Sequence, residues 1–288
     1  MKRILVVDFN GTSSVYTHYF SNGLKDENTL VKILGKKKSA FLDVFNSKNE
    51  YIGYNTRFKF LNYILNWIWL LFNYKKFDIV VIQWLQLIKY LSAEVYLVKY
   101  LQKKIEVNYI VHNLYPHSID AKRVKKRYQF LYESLHIIVV HTDEIYSEIL
   151  KLTNKDCKII KINHGLFFKK FRATPVSNYA KCLMVGYIKK YKGVEDALKI
   201  VAILKRRGVM ITLEIIGFGE KKYILKLEKF VKEYGIANQV SIHSKEVTTE
   251  FLINKINKST MLWLPYKNIS QSGVSYTSLG LCKPFVAY

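Results

Sequence analysis

Three lysines crowd one short stretch of the chain. In LMVGYIKKYKGVED, Leu183 to Asp196, Lys189, Lys190 and Lys192 lie between Gly186 and Gly193, after an apolar run and before a run of helical period. A strand that feeds a glycine and then a helix start offers an anion the unpartnered N–H groups and the positive end of the helix dipole. Ammonium groups at the same edge suit a diphosphate. A solvated basic loop is the competing reading, and these residues alone do not decide between the two. Gly217 and Gly219 of IGFGE allow a ligand close to the backbone. Ser270, Gln271, Ser272 and Gly273, followed by Val274, precede another helical stretch and make a second site for an anion or hydroxyl. His112 closes a strand in VHNLYPH, His117 follows a proline, and His164 lies in NHGLF. Asn10 to Ser14, with Gly11, Thr12 and Ser13 at its centre, is a polar loop of a size to admit a substrate. Asp8 and Asp78 read as turn or helix caps rather than catalytic acids. Lys190 reads as solvated and Tyr191 as packed.

The elements that must position these residues alternate. Strands are expected at 3–8, 30–34, 77–84, 108–113, 136–142 and 157–165, with helices at 15–24, 60–72, 91–103, 121–134 and 143–152. Residues 30–57 otherwise give no clear pattern. The segment 168–181, polar and basic with Pro175, reads as a linker. The alternation then restarts: strands at 182–185, 211–216, 239–243, 260–264 and 284–288, and helices at 193–206, 219–234, 248–257 and 273–280. Such a pattern predicts mostly parallel sheets covered on both faces, in two domains, 1–172 and 173–288. The last residues fall in or just after a buried strand that such domains normally cover, so the second domain is expected to be incomplete.

Half of the 288 residues are hydrophobic and 15% are aromatic, enough for a full core. Lys+Arg 46 against Asp+Glu 22 gives a net charge of +24, which calls for a polyanionic partner: nucleic acid, an anionic membrane surface or phosphorylated substrates. The lysines are scattered rather than gathered on one arm, and no nucleic-acid-binding signature occurs, so nucleic acid is the weakest of the three. Cys157, Cys182 and Cys282 form no CxxC pair; the last two lie in or beside apolar runs, which fits buried reduced thiols and argues against zinc. The start of the chain enters a strand directly, with no signal-peptide cleavage region. FLNYILNWIWLLF, 60–72, is too short to span a bilayer and contains Asn62 and Asn66. It reads first as a buried helix, and second, with Lys59, Lys75 and Lys76 around it, as an interfacial one.

VHNLYPH, NHG, LMVGYIKKYKG, LEIIGFGE, LPY with SGV, and CKPFVA stand in one order and spacing. Together they resemble the retaining GT-B glycosyltransferases of family 4, the glycosyl transferases group 1. The resemblance spans the chain, weakly in the first hundred residues and strongly from His112 on. It implies two Rossmann-like, doubly wound parallel-sheet domains facing a cleft. It also implies metal-independent transfer of a sugar from a UDP- or GDP-linked donor, a co-substrate rather than a cofactor. Lys192 matches the family lysine that grips the donor diphosphate. Lys189 stands where one variant has arginine, and Gly186 belongs to the same loop. Gly217 and Gly219 match the glycine turn beside the nucleotide; Ser272, Gly273 and Val274 match the loop at the donor sugar and phosphate; and His112 is the candidate catalytic contact to that sugar. Gly11, Thr12 and Ser13 replace the glycine pair common in the family's acceptor-side loop. Many members carry two glutamates seven residues apart before the last donor strand, the second holding the ribose. Ser270 to Ser278 has no acid, and the QSGV within it resembles a polysaccharide-assembly branch of the family.

The expected protein is therefore a retaining glycosyltransferase acting on a saccharide or polyprenyl-diphosphate-linked acceptor in bacterial surface polysaccharide synthesis. It is expected in the cytoplasm, peripheral on the inner face of the plasma membrane, where the basic surface and the Trp67/Trp69 run suit an anionic membrane. The alternatives are a truncated, inactive relative that only binds and, more remotely, a basic nucleic-acid-binding protein.

Overall fold

The computed structural model describes residues 1–35, 50–116, 122–169, 180–267 and 272–287. The chain divides into two units, Met1–Gly165 and Leu166–Tyr288. The boundary expected after residue 172, most of the expected linker, and His117, Ser270 and Gln271 fall outside the described residues.

In the first unit, β1 (Lys2–Asp8), β2 (Thr29–Gly35), β3 (Glu50–Ile52), β4 (Ile79–Ile82), β5 (Glu106–Val111), β6 (Ile137–Val140) and β7 (Lys158–Lys161) form one sheet in the order 3-2-1-4-5-6-7. All of its strand pairs are parallel. Helices α1 (Ser14–Gly23), α2 (Lys59–Asn73), α3 (Ala93–Gln102), α4 (Lys122–Ser134) and α5 (Asp143–Leu152) connect or flank the strands. Central strands are buried on both faces, as in β4, where all four residues are covered. This is why they read as unbroken apolar runs rather than alternating ones. The three-residue β3, half-exposed at the sheet edge, has no such run and gave no signal in the sequence.

Asp78 and Arg3 pair at 2.7 Å and tie the start of β4 to β1, a link between strands rather than the helix or turn cap expected of Asp78. Cys182 is buried, but Cys282 is exposed, against expectation: it sits at φ 54 in the turn after the last described helix, outside the adjoining apolar run.

Helix α2 packs in an inverted sense. Its core face carries polar groups: Asn62, Tyr63, Asn66 and Trp67 are buried there beside Leu70. Asn62 donates to the Phe9 carbonyl at 2.8 Å, and Asn66 both accepts from the Tyr54 N–H (2.8 Å) and donates to its carbonyl (3.0 Å). Buried Glu94 of α3 accepts from the Tyr63 hydroxyl, from Trp67 Nε1 at 3.2 Å and from the Ile88 N–H at 2.6 Å. Trp67 is thus core, not a membrane contact, and Trp69 is half-buried against Phe77. Among the described residues no helix is long and apolar enough to cross a membrane. Asn66→Leu should destabilise the chain by about 2 kcal/mol in urea denaturation, although it makes the helix more apolar, because both Tyr54 backbone groups lose their partner.

The second unit holds β8 (Ala180–Val185), β9 (Ile211–Gly217), β10 (Val240–Ser244), β11 (Met261–Leu264) and β12 (Phe285–Ala287) in the order 10-9-8-11-12, again all parallel. Helices α6 (Val194–Arg206), α7 (Lys221–Glu233), α8 (Thr249–Lys258) and α9 (Gly273–Gly280) complete it. Thr248 caps α8 by accepting from the Phe251 N–H. Leu198 and Val201 of α6 and Leu227 of α7 pack with Leu213 and Ile215 of β9 in one core.

Candidate functional site

The strand order of the second unit reverses at β8, and open α/β sheets take ligands in the crevice beyond the carboxyl ends of the strands at such a reversal. Lys192, Gly186, Gly217, Gly219 and Val274 meet there. The Gly186 N–H donates to the Ile216 carbonyl at 3.0 Å and the Ile188 N–H to that of Phe218 at 2.8 Å, so the β8–β9 pairing continues into both loops. A Cβ on Gly217, at φ +155, would stand 1.8 Å from the Gly186 carbonyl oxygen; one on Gly186 would touch Val274 Cγ2 at 3.9 Å.

Lys192 ends a 3-10 turn (Lys190–Lys192), and Gly193 follows in the left-handed region at φ 69. That sharp turn carries Lys192 inward while Lys189 and Lys190 stay exposed. Lys192 is only 9% exposed, and its Nζ lies 3.9 Å from the Tyr266 ring centroid and 5.6 Å from that of Tyr191. Among the described residues no carboxylate lies within ion-pair distance of it. Burial drops the ammonium to about 8. Lys192, Gly186, Ile188 and Tyr266 line a narrow recess that opens to solvent. Lys189 Nζ lies 5.6 Å from the Tyr187 ring.

The two helix starts differ. Helix α6 carries Glu195 and Asp196 in its first turn, where they pair with Lys226 at 3.0 Å and Lys267 at 2.9 Å. Its own acids already answer its dipole. Helix α9 has no acid in its first turn and is capped by Ser272, which accepts from the Ser275 N–H. Of the two starts expected to attract an anion, α9 is the better suited, at Ser272, Gly273 and Val274.

In the first unit the chemistry gathers at the carboxyl edge of the sheet. Buried Asp8 accepts from the Thr12 and Ser13 N–H groups at 2.7 and 3.0 Å and from Thr17 Oγ1 at 3.0 Å. It is the turn cap expected, and it fixes the Gly11–Thr12–Ser13 loop from beneath. The Ser13 hydroxyl accepts from Trp84 Nε1 at 3.0 Å and that of Thr12 from Gln86 at 2.8 Å. The His112 ring stacks on Trp84 at 4.6 Å and 6° and meets the Tyr16 ring edge-on at 4.6 Å. Among the described residues its buried Nε2 has no hydrogen-bond partner, and burial holds its pKa well below the usual histidine value. Sequence reasoning missed His141, which joins this cluster: its Nε2 is 2.8 Å from the Tyr16 hydroxyl and its Nδ1 is 2.9 Å from the Ile162 carbonyl. A neutral ring that donates through Nδ1 and accepts from tyrosine satisfies both contacts. His164 Nδ1 lies 2.8 Å from the Gly165 carbonyl, the loop-structuring role expected of it, and burial lowers this ring to about 4. The cluster therefore works uncharged: it can donate to or accept from a hydroxyl, but it does not supply a cation.

The fold is shared with solved glycosyltransferase structures. Sucrose-phosphate synthase from Thermosynechococcus elongatus superposes with a TM-score of 0.72 at 12% identity, covering 100% of this chain and 81% of its own. Anabaena HepE in complex with UDP-glucose gives 0.72 at 11%, covering 100% and 80%. A glycosyltransferase from Rickettsia africae gives 0.68 at 16%, covering 99% and 79%. No curated protein matches the chain. The two parallel sheets are those of the GT-B fold, and residues 167–267, which contain the whole lysine loop and its glycine partners, match the family described as Glycosyl transferases group 1.

Proposed function

We propose that this protein is a retaining, metal-independent glycosyltransferase of family 4. It moves a sugar from a UDP- or GDP-linked donor to a saccharide or lipid-linked acceptor in the assembly of a bacterial surface polysaccharide, at the cytoplasmic face of the membrane. One observation carries the reading. Lys192 is a buried ammonium at the switch point of the sheet, held by aromatic faces and lacking a carboxylate among the described residues. Burying such a charge is costly unless an anion completes it. A donor diphosphate is an anion of that kind, and the family match spans this loop. Lys192 and the start of α9 neutralise the charge that develops on the leaving diphosphate, with Lys189 adding a mobile cation. Gly217 and Gly219 leave room for the nucleotide. His112, neutral and rigidly stacked, holds a hydroxyl of the transferred sugar. The Gly11–Thr12–Ser13 loop belongs to the acceptor side.

Calorimetric titration with UDP, GDP and their sugar conjugates tests the proposal. Saturable binding of one nucleotide, followed by transfer with the anomeric configuration kept, is the expected result. A folded chain that binds no nucleotide would overturn it, and inversion of the configuration would overturn the retaining part. His112→Phe, which keeps the stack on Trp84, should bind nucleotide normally and turn over about tenfold more slowly, the worth of one neutral hydrogen bond.

A further inference from the structure

The buried asparagines of α2 leave its other face apolar. Leu61, Leu65, Ile68 and Phe72 recur at helical spacing along the side away from the core, and Phe58 and Phe60 precede them. Phe72 is 83% exposed, Phe58 70% and Leu61 46%. No charged residue occurs between Lys59 and Lys75, whereas Arg57 and Lys59 stand at one end of the stripe and Lys75 and Lys76 at the other, all exposed. Asn62 and Asn66 are locked into backbone hydrogen bonds, so the helix cannot roll to hide this face.

We infer that the outer face of α2 is a docking surface for an anionic lipid bilayer. The helix lies in the headgroup region with Leu61, Leu65, Ile68 and Phe72 in the acyl boundary and the flanking cations on lipid phosphates. An apolar stripe closed by basic residues at both ends is complementary to such a surface. A second copy of the chain fits it less well. The stripe is roughly 16 Å long and about 10 Å wide, on the order of 200 Å² against the roughly 800 Å² per partner of a stable complex. The inference rests on the membrane part of the proposed function and is independent of the donor site.

The test is co-sedimentation of the full chain with phosphatidylglycerol and phosphatidylcholine vesicles, together with Leu61→Ser/Ile68→Ser/Phe72→Ser and, separately, Lys75→Glu/Lys76→Glu. The wild-type chain should partition onto phosphatidylglycerol vesicles at least tenfold more strongly than onto phosphatidylcholine. Both variants should lose at least tenfold in that partition while keeping wild-type thermal unfolding and nucleotide affinity. Absence of wild-type binding, or equal binding by the triple-serine variant, overturns the inference. So does a wild-type dimer in sedimentation that the triple-serine variant abolishes, which assigns the face to a second copy. Loss of nucleotide binding in wild type would sink the donor-site reading and leave the vesicle result standing.

Discussion

Lys192→Met should make the protein more stable and nearly abolish its affinity for a nucleoside diphosphate. The ammonium falls from 10.5 to about 8 on folding, a burial cost of about 3 kcal/mol. The Tyr266 ring at 3.9 Å returns part of this, about 2 kcal/mol for a desolvated cation–π contact. A methionine of similar length keeps the packing on both tyrosines without the charge, so a gain of about 1 kcal/mol, or about 2–4 °C in Tm, is expected. UDP affinity should fall by about a hundredfold, the upper range for a charged hydrogen bond. Acidity gives the matching signature. Because the folded pKa lies below the unfolded one, the native chain binds fewer protons between about pH 8 and 10.5, and its stability rises with pH across that window. Affinity for the diphosphate does the opposite: it weakens as pH rises through about 8, where the unliganded lysine loses its charge. Both dependences should vanish in the methionine variant. A variant that binds UDP as wild type does, or a wild type whose affinity ignores pH 8, would remove Lys192 from the site.

The fold was legible because its signal is local. Strands buried on both faces are written as apolar runs, and β4 as IVVI or β6 as IIVV needs no tertiary knowledge to find. β3 escaped because three half-exposed residues carry no period. The site was legible only as a set of loops. Lys189, Lys190 and Lys192 look alike in sequence, and what separates them is one tight turn with a left-handed glycine after it. His141 ends a strand just as His112 does, but its role depends on Tyr16, 125 residues away. Asp8 could be read as a cap; that it holds two N–H groups of the Gly11–Thr12–Ser13 loop could not. The largest misreading concerned α2. Its tryptophans suited a membrane surface and its asparagines interrupted the apolar run, whereas Trp67 and both asparagines form the core face with Leu70, and Leu61, Ile68 and Phe72 are exposed. A pattern rule turns the apolar side of a helix inward, and here the buried positions include both asparagines, so the rule points the wrong way.

Gly193→Ala should destabilise the protein by about 3 kcal/mol or more and weaken nucleotide binding with it, the reverse coupling to that of Lys192→Met. The left-handed backbone at φ 69 costs a side-chain-bearing residue about 1–2 kcal/mol by itself. The added methyl also has nowhere to go: its carbon would lie 1.8 Å from the Pro265 carbonyl oxygen and 3.2 Å from Pro265 Cβ. One contact is backbone, so relief requires either the start of α6 or the segment after β11 to move. Tyr266 is the next residue in that segment, and its ring covers the Lys192 ammonium. Lys267 is tied to the same turn, its N–H donating to the Tyr191 carbonyl at 2.8 Å. Any shift that relieves the clash therefore opens the aromatic cover and lets water reach Lys192, raising its pKa back toward 10.5 and spreading the charge that a diphosphate would meet. Urea denaturation and UDP titration of the same sample should show both losses together, and the step in affinity near pH 8 should move upward. Stability lost with the affinity and its pH dependence intact would mean that Gly193 serves only the turn, and that the geometry around Lys192 does not depend on it.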